Sequence, residues 1–302
     1  MLNGLSFNMD LNENFHNETS VFFKHYNGKE IRPFNILDDQ TLTAGGRTLF
    51  EWKGAWGQWQ LTSQTGYEYF RESYNWQVYE TLAEGNQGDL LNKNHQIRLQ
   101  QNLFETVEAQ YGNLGIHTGI NLNRTSYSYQ DLFEDEMDYS DQKDYEWVLS
   151  PRFSLTYKLS DRLIWFGSLS HGFSAPSYEE TLNARGFVDG SIKPETGWNR
   201  ETGIRGRYWN NRLFFKSSVY SIAVNDLLVT KRPAEDEFYK GNAGETLHNG
   251  IEAMSRIRWL QNSFITSTVN INYTHANYTF TDFTDEGSDY SGNYLPGVPK
   301  NK

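Results

Sequence analysis

Ser170 and His171 stand side by side in the segment LSHGF, and they are the residue types of a nucleophile and its base. Neighbouring residues of an extended strand point to opposite faces, so these two cannot meet. The chain has no G-x-S-x-G elbow and no glycine-rich phosphate loop, which leaves acyl and phosphoryl transfer without their usual scaffolds. It has no cysteine in 302 residues, so disulfides, thiolate chemistry and cysteine-bound zinc are all excluded. Its seven histidines form no pair at metal-ligand spacing, and neither a metal site nor a cofactor is expected.

Charge is the remaining chemistry. The acids Asp131, Glu134, Asp135, Glu136, Asp138, Asp141 and Asp144 fall in one stretch. They lack the ligand order and the glycine of a calcium loop, so they read as a solvated loop suited to bridging cations. Asp282, Asp285, Glu286 and Asp289 read the same way. Arg98, Arg152, Arg205, Arg207, Arg256 and Arg258 each alternate with apolar residues. With His171 at a strand end, Arg152, Arg205, Arg207, Arg256 and Arg258 are the candidates for meeting an anionic ligand. The simpler expectation pairs the arginines with Glu51, Glu68, Glu201 and Glu252.

The elements that must carry these residues are strands. Leu149, Pro151, Phe153, Leu155, Tyr157 and Leu159 alternate with Ser150, Arg152, Ser154, Thr156 and Lys158, a period of two that only a strand sorts onto separate faces. After a reversal at Ser160-Asp161, Leu163, Trp165 and Leu169 share a face opposite Ser168 and Ser170. The same alternation recurs around Leu5–Leu11, Phe50–Trp56, Trp59–Tyr69, Ile97–Leu103, Leu114–Leu122, Ile204–Tyr208, Leu213–Val224, Ile251–Trp259 and Ile265–Tyr273. That gives about eleven strands, most near the ten residues a tilted strand needs to cross hydrocarbon. The facing of the 213–224 arm is ambiguous. Tight turns are expected at 57/58, 112/113, 160/161, 210/211 and 261/262. Long polar loops are expected at 74–94, 126–146, 174–196, 226–247 and 279–295. A further long connection at 12–46 is expected to hold a small hairpin at Asn27-Gly28.

Short connections on one side, long ones on the other and Trp56, Trp59, Trp209 and Trp259 beside the short turns fit an outer-membrane barrel with periplasmic turns and extracellular loops. The mean hydropathy of −0.72 and the lack of any run of roughly 18 apolar residues exclude a helical membrane protein. A barrel survives this test, because only alternate residues face lipid. The chain has nine Trp, 19 Tyr and 19 Phe, which suits interfacial girdles. A net charge of −11 argues against a nucleic-acid partner. Met1 opens no signal peptide. The rival readings are a soluble all-β adhesin or glycan-binding module, whose apolar face would lie under a second sheet, and an outer-membrane barrel hydrolase.

The runs HGFSAPSYEET (171–181), IKPETGWNRETGIRG (192–206), YKGNAGETLHNGIEAMSRIRW (239–259) and YLPGVPKNK (294–302) resemble, in order and spacing, the landmarks of TonB-dependent outer-membrane receptors. The first half resembles that family only in its strand pattern. The resemblance implies an all-β, antiparallel transmembrane barrel of 22 strands, a plug and a TonB-contacting segment ahead of it. Residues 1–302 then form a partial barrel domain without the plug or the terminal strands. It also implies a non-enzymatic receptor in the bacterial outer membrane, importing a ferric siderophore or similar chelate. Its partners would be outer-membrane lipid and lipopolysaccharide, and the TonB complex through the N-terminal part.

Overall fold

The computed structural model describes residues 1–133, 138–177, 179–181, 189–234, 237–242, 244–285 and 287–302. Its body is one antiparallel sheet. In chain order the strands are β1 (Leu2–Asp10), β2 (Phe15–Ile31), β3 (Asn35–Trp56), β4 (Trp59–Thr81), β5 (Gln87–Tyr111) and β6 (Leu114–Asp131). A short β7 (Asp141–Asp144) is followed by β8 (Val148–Ser160), β9 (Leu163–Ser174), β10 (Glu195–Tyr208) and β11 (Leu213–Asn225). A side hairpin, β12 (Leu228–Ala234) and β13 (Glu237–Asn242), precedes β14 (Glu245–Gln261) and β15 (Thr266–Asp282). Each long strand pairs with its sequence neighbour, giving the path β1-β2-β3-β4-β5-β6-β8-β9-β10-β11-β14-β15, with β7 beside β6 and β12–β13 apart from the sheet. The sheet does not close on itself. Beyond β15, residues 294–302 run back along its edge, bridging Thr279 to Tyr294 and His275 to Asn301.

Cross-strand register fixes the two faces. Trp56 pairs with Trp59, Tyr111 with Leu114, Leu114 with Tyr157, Tyr157 with Trp165 and Trp165 with Ile204. One aromatic row thus crosses seven strands just above the short turns. Higher on the same face lie Thr48, Tyr67, Leu103, Leu122 and Leu149, again in register. Among the described residues nothing covers this face. Leu103 is 48% exposed, Ile120 53% and Val269 46%, where the soluble-module reading requires a second sheet over them. At this height the opposite face carries most of the charges. Burial accordingly concentrates away from the apolar face, in residues such as Tyr127 and Tyr145 near the upper end of β6.

The short turns stand close to their expected places. Gly57-Gln58 and Gly112-Asn113 separate β3 from β4 and β5 from β6, with both glycines at positive φ, which they adopt without steric cost. The turn at 209–212 takes positive φ at Trp209, Asn210 and Asn211. On the other side the expectations need correction. Residues 12–46 are no connection. They hold β2 and the upper part of β3, joined by three residues after Ile31, so the main path has twelve strands rather than about eleven. Asn27-Gly28 is no turn either, since Asn27 pairs with Gln40 and Gly28 with Asp39 in mid-ladder. The segment 74–94 is mostly strand, broken only by five residues around the one-turn helix Ala83–Gly85. Short and long connections therefore do not alternate strictly. β6 extends to Asp131, and 226–247 contains the β12–β13 hairpin. The 279–295 segment contains a small hairpin of β16 (Thr284–Asp285) and β17 (Ser288–Asp289). The physical reason is common to all of these. Above the apolar band both faces of a strand meet water, so the sequence no longer alternates although the ladder continues.

The ambiguous arm is resolved by register. Leu213 pairs with Ile257 and Ser217 with Ile204, so the odd-numbered residues of β11 share the apolar face and Phe214, Lys216 and Ser218 the polar one.

Candidate functional site

The upper part of the polar face holds a row that reads straight across six strands. Lys24 pairs with Thr43, Thr43 with Glu72, Glu72 with Arg98, Arg98 with Tyr127 and Tyr127 with Lys143. One row higher lie Tyr26, Thr41, Tyr74, Gln96 and Tyr129. One row lower are Phe22 and Phe70, their ring centroids 6.3 Å apart. A cavity of about 500 Å³ opens on this wall, lined by Lys24, Tyr26, Glu72, Tyr74, Arg98 and Tyr127 among others.

Arg98 is the centre of the arrangement. Its guanidinium lies 6.0 Å from the Phe70 ring centroid and 5.8 Å from that of Tyr127, which orients the side chain through the negative ring faces. Its Nε is buried without a hydrogen-bond partner, and among the described residues no carboxylate forms an ion pair with it or with Lys24. Glu72 instead accepts a hydrogen bond from the Thr43 hydroxyl at 3.3 Å. Tyr145 is 5% exposed and packs edge-on against Tyr127 at 6.3 Å. Burial pushes its phenol well above the ordinary tyrosine range, with Tyr127 and Glu180 adding to the shift. Its hydroxyl is buried without a hydrogen-bond partner behind the wall of the cavity. Lys143 sits 5.6 Å above the Tyr145 ring and donates to the Gly190 carbonyl at 2.7 Å, tying the 189–192 loop to this wall.

A second cationic region lies on the same face near the short turns. Arg205 pairs in register with Lys216, and Arg207 with Phe214, which pairs with Arg256. A cavity of about 460 Å³ is lined here by Arg162, Arg205, Arg207 and Phe214, with Asp161 at its edge. The structure thus brings Arg205, Arg207 and Arg256 together. Arg258 faces the same way close to the turn and donates to Gln261 at 3.3 Å. Arg152, paired with Ser170, stands apart, in a row six residues above that of Arg205. His171 is not on this face. It pairs with Trp198 on the apolar side, their tilted rings 5.1 Å apart, because it follows Trp165 and Leu169 in phase. Three of the four acids expected to neutralise the arginines pair with other cations. Glu51 binds Lys53, Glu68 binds Arg47 at 3.4 Å and Glu201 binds Lys216 at 3.1 Å.

The sequence reading missed Lys24, Tyr26, Tyr74, Tyr127, Tyr129 and Tyr145, all assigned to connections. Phe22, Lys24 and Tyr26 do recur at a period of two. The interleaved Phe23 and His25 hide that signal, because apolar and polar residues stand on both faces. In the acidic run, Glu134, Asp135 and Glu136 lie outside the described residues. Asp131, Asp138 and Asp141 accept backbone N–H bonds from Phe133, Ser140 and Gln142. Among the described residues no cluster of three His, Asp or Glu side chains could hold a metal ion.

Comparison with known proteins adds a lineage to this geometry. The model of the family described as "TonB dependent receptor-like, beta-barrel" matches residues 2–302. No curated protein matches the chain. Among solved structures, the ferric citrate transporter FecA in its unliganded form superposes with a TM-score of 0.75 at 16% identity, covering 99% of this chain and 45% of that one. The siderophore receptor PiuA from Acinetobacter baumannii gives 0.74 at 13% identity, with 99% and 50% covered. The copper transporter OprC gives 0.74 at 16% identity, with 92% and 46% covered. The chain therefore spans about half the length of the structures it matches.

Proposed function

Since this chain belongs to the TonB-dependent receptor β-barrel family of the bacterial outer membrane, we propose that it forms part of the wall of a transporter taking up an anionic metal chelate, a ferric siderophore first. The apolar face then meets lipid and the polar face lines the lumen. The observation that carries the ligand reading is Arg98. It is an arginine braced on Phe70 and Tyr127, in a cavity lined also by Lys24, Glu72 and tyrosines. Cations and phenol donors at the extracellular end of a lumen suit a negatively charged ligand with aromatic or carboxylate arms. The names of two neighbours, a ferric citrate transporter and a siderophore receptor, support the ferric-chelate reading, and that of a third, a copper transporter, supports a metal as cargo more broadly.

Arg205, Arg207 and Arg256, at the periplasmic end, are proposed to face acidic groups of whatever part of the receptor fills the lumen. Energy for release would come through the TonB complex. The test is binding of a panel of ferric chelates to the intact receptor, followed by tryptophan fluorescence. Arg98→Ala should weaken an anionic chelate by about 10- to 100-fold, the worth of one or two charge-assisted contacts, and leave a neutral chelate unchanged. Equal affinity for the anionic chelate in both proteins would refute the role of Arg98.

A further inference from the structure

Glu72 is the acid among the cations and phenols that line the upper cavity. In register it stands directly opposite Arg98 on one side, and two strands from Lys24 across Thr43 on the other. Opposite charges placed directly across a ladder ordinarily form a favourable pair. Here they lean apart. Arg98 reaches toward the ring of Phe70, one row lower, and toward Tyr127, one strand farther on. Glu72 leans the other way, its Oε2 accepting from the hydroxyl of the buried Thr43. Among the described residues neither charge forms an ion pair, and Oε1 of Glu72 accepts no hydrogen bond.

Stability of the wall alone would close this pair, as it does four residues below. There, on the same strand and the same face, Glu68 meets its register partner Arg47 at 3.4 Å. The open pair instead presents Arg98, Glu72 and Lys24 to one cavity of about 500 Å³. Strand spacing sets the backbone of Glu72 about 5 Å from that of Arg98 and about 10 Å from that of Lys24. A ligand with anionic oxygens only would meet the two cations and press a like charge against Glu72, which acts against such a ligand as a repulsive element. A ligand that carries an ammonium beside its anionic groups meets all three.

We propose that Glu72 selects, among anionic metal chelates, those bearing a protonated amine next to their anionic oxygens, the chemistry of a chelator built from amino acids. The ammonium donates to Oε1 of Glu72, and the anionic groups accept from Arg98 and Lys24. Charge-assisted hydrogen bonds of this kind are the strong ones. This inference rests on the anionic-chelate reading of the cavity and names the ligand class within it.

The experiment titrates the intact receptor, by tryptophan fluorescence, with a synthetic ferric tris-catecholate carrying one primary amine and with its N-acetylated counterpart, which keeps the metal centre and loses the positive charge. The wild-type protein should bind the amine form about 10-fold more tightly, the worth of one charge-assisted hydrogen bond. Glu72→Gln should abolish that preference: the amine form weakens about 10-fold, and the acetylated form binds at least as tightly as to the wild type, because the repulsion is gone. Glu72→Asp should keep the preference. Arg98→Ala should weaken both forms alike. Equal affinity of the wild type for the two forms would overturn the proposal. So would equal weakening of both by Glu72→Gln, the mark of a residue that only braces the wall. With both forms still weakened by Arg98→Ala, either result leaves the anionic-chelate reading standing. No effect of Arg98→Ala on either form would overturn that reading and this inference together.

Discussion

Glu105 gives the sharpest test of how the lipid-facing wall is stabilised. It pairs in register with Thr65 on one side and Ile120 on the other, and it is the fourth outward residue of β5 after Tyr111, Ala109 and Val107. Six residues of rise at about 3.3 Å each, on a strand tilted about 40°, put it about 15 Å above the turn, inside a band about 25 Å tall. No water reaches that depth, so the two hydroxyls are its hydration. Ser63 Oγ donates to one carboxylate oxygen at 2.6 Å, and Thr65 donates to the other. Hydrogen bonds to a charged group contribute about 1.5–3 kcal/mol each. Ser63→Ala combined with Thr65→Val should therefore lower unfolding stability by about 3–6 kcal/mol. In the Glu105→Leu background the same pair of changes should cost less than about 1 kcal/mol, because removing both sides of a polar contact is nearly neutral. The assay is a double-mutant cycle by urea unfolding of the receptor in lipid vesicles. A coupling below about 0.5 kcal/mol, the additivity limit for sites that do not interact, would refute the reasoning.

Two further outcomes follow from the same structure. Ile120→Arg, at the same depth on the lipid face, should destabilise the barrel by about 2–4 kcal/mol, while Asn121→Arg on the lumen face should change it by less than about 1 kcal/mol, both read from unfolding midpoints. In the extracellular loop, the Asp189 carboxyl is held below its ordinary range by hydrogen bonds from the Ser191 hydroxyl and backbone N–H. A depressed folded value contributes stability that is present above the unfolded value, near pH 4, and is lost as pH falls through the folded one. The protection of the Ser191 amide against hydrogen exchange, corrected for the intrinsic pH dependence of the exchange rate, should thus be constant from neutral pH to about 4 and fall below it, with Asp189→Asn abolishing the acid step.

Legibility in the sequence follows the solvent on each face. β6 was readable because lipid on one side forces Leu114, Ile116, Ile120 and Leu122 to alternate with His117, Asn121 and Asn123. The upper ends of β2 to β5 were not, because water bathes both sides there and Asp38-Asp39-Gln40 or Tyr74-Asn75-Trp76-Gln77 carry no phase. Asn27-Gly28 has strong turn propensity, yet the ladder between Tyr26–Thr41 and Lys29–Asp38 overrides it. The lower arginines were found because they interrupt clear alternation. The Lys24–Arg98–Lys143 row was not, since it exists only after six strands have been set in register. His171 shows that phase along the strand decides its face, whatever the chemistry of the side chain suggests.

The central claim is that the row of Trp, Tyr, Leu and Ile side chains meets lipid while the intervening residues meet an aqueous lumen. The chain has no native cysteine, so single cysteines placed in turn at residues 114–122 and spin-labelled in the membrane-embedded receptor measure it directly. Collision with oxygen should peak at 114, 116, 118, 120 and 122, and collision with a water-soluble nickel complex at the residues between. Uniform accessibility along the strand, or peaks in the opposite phase, would contradict the account.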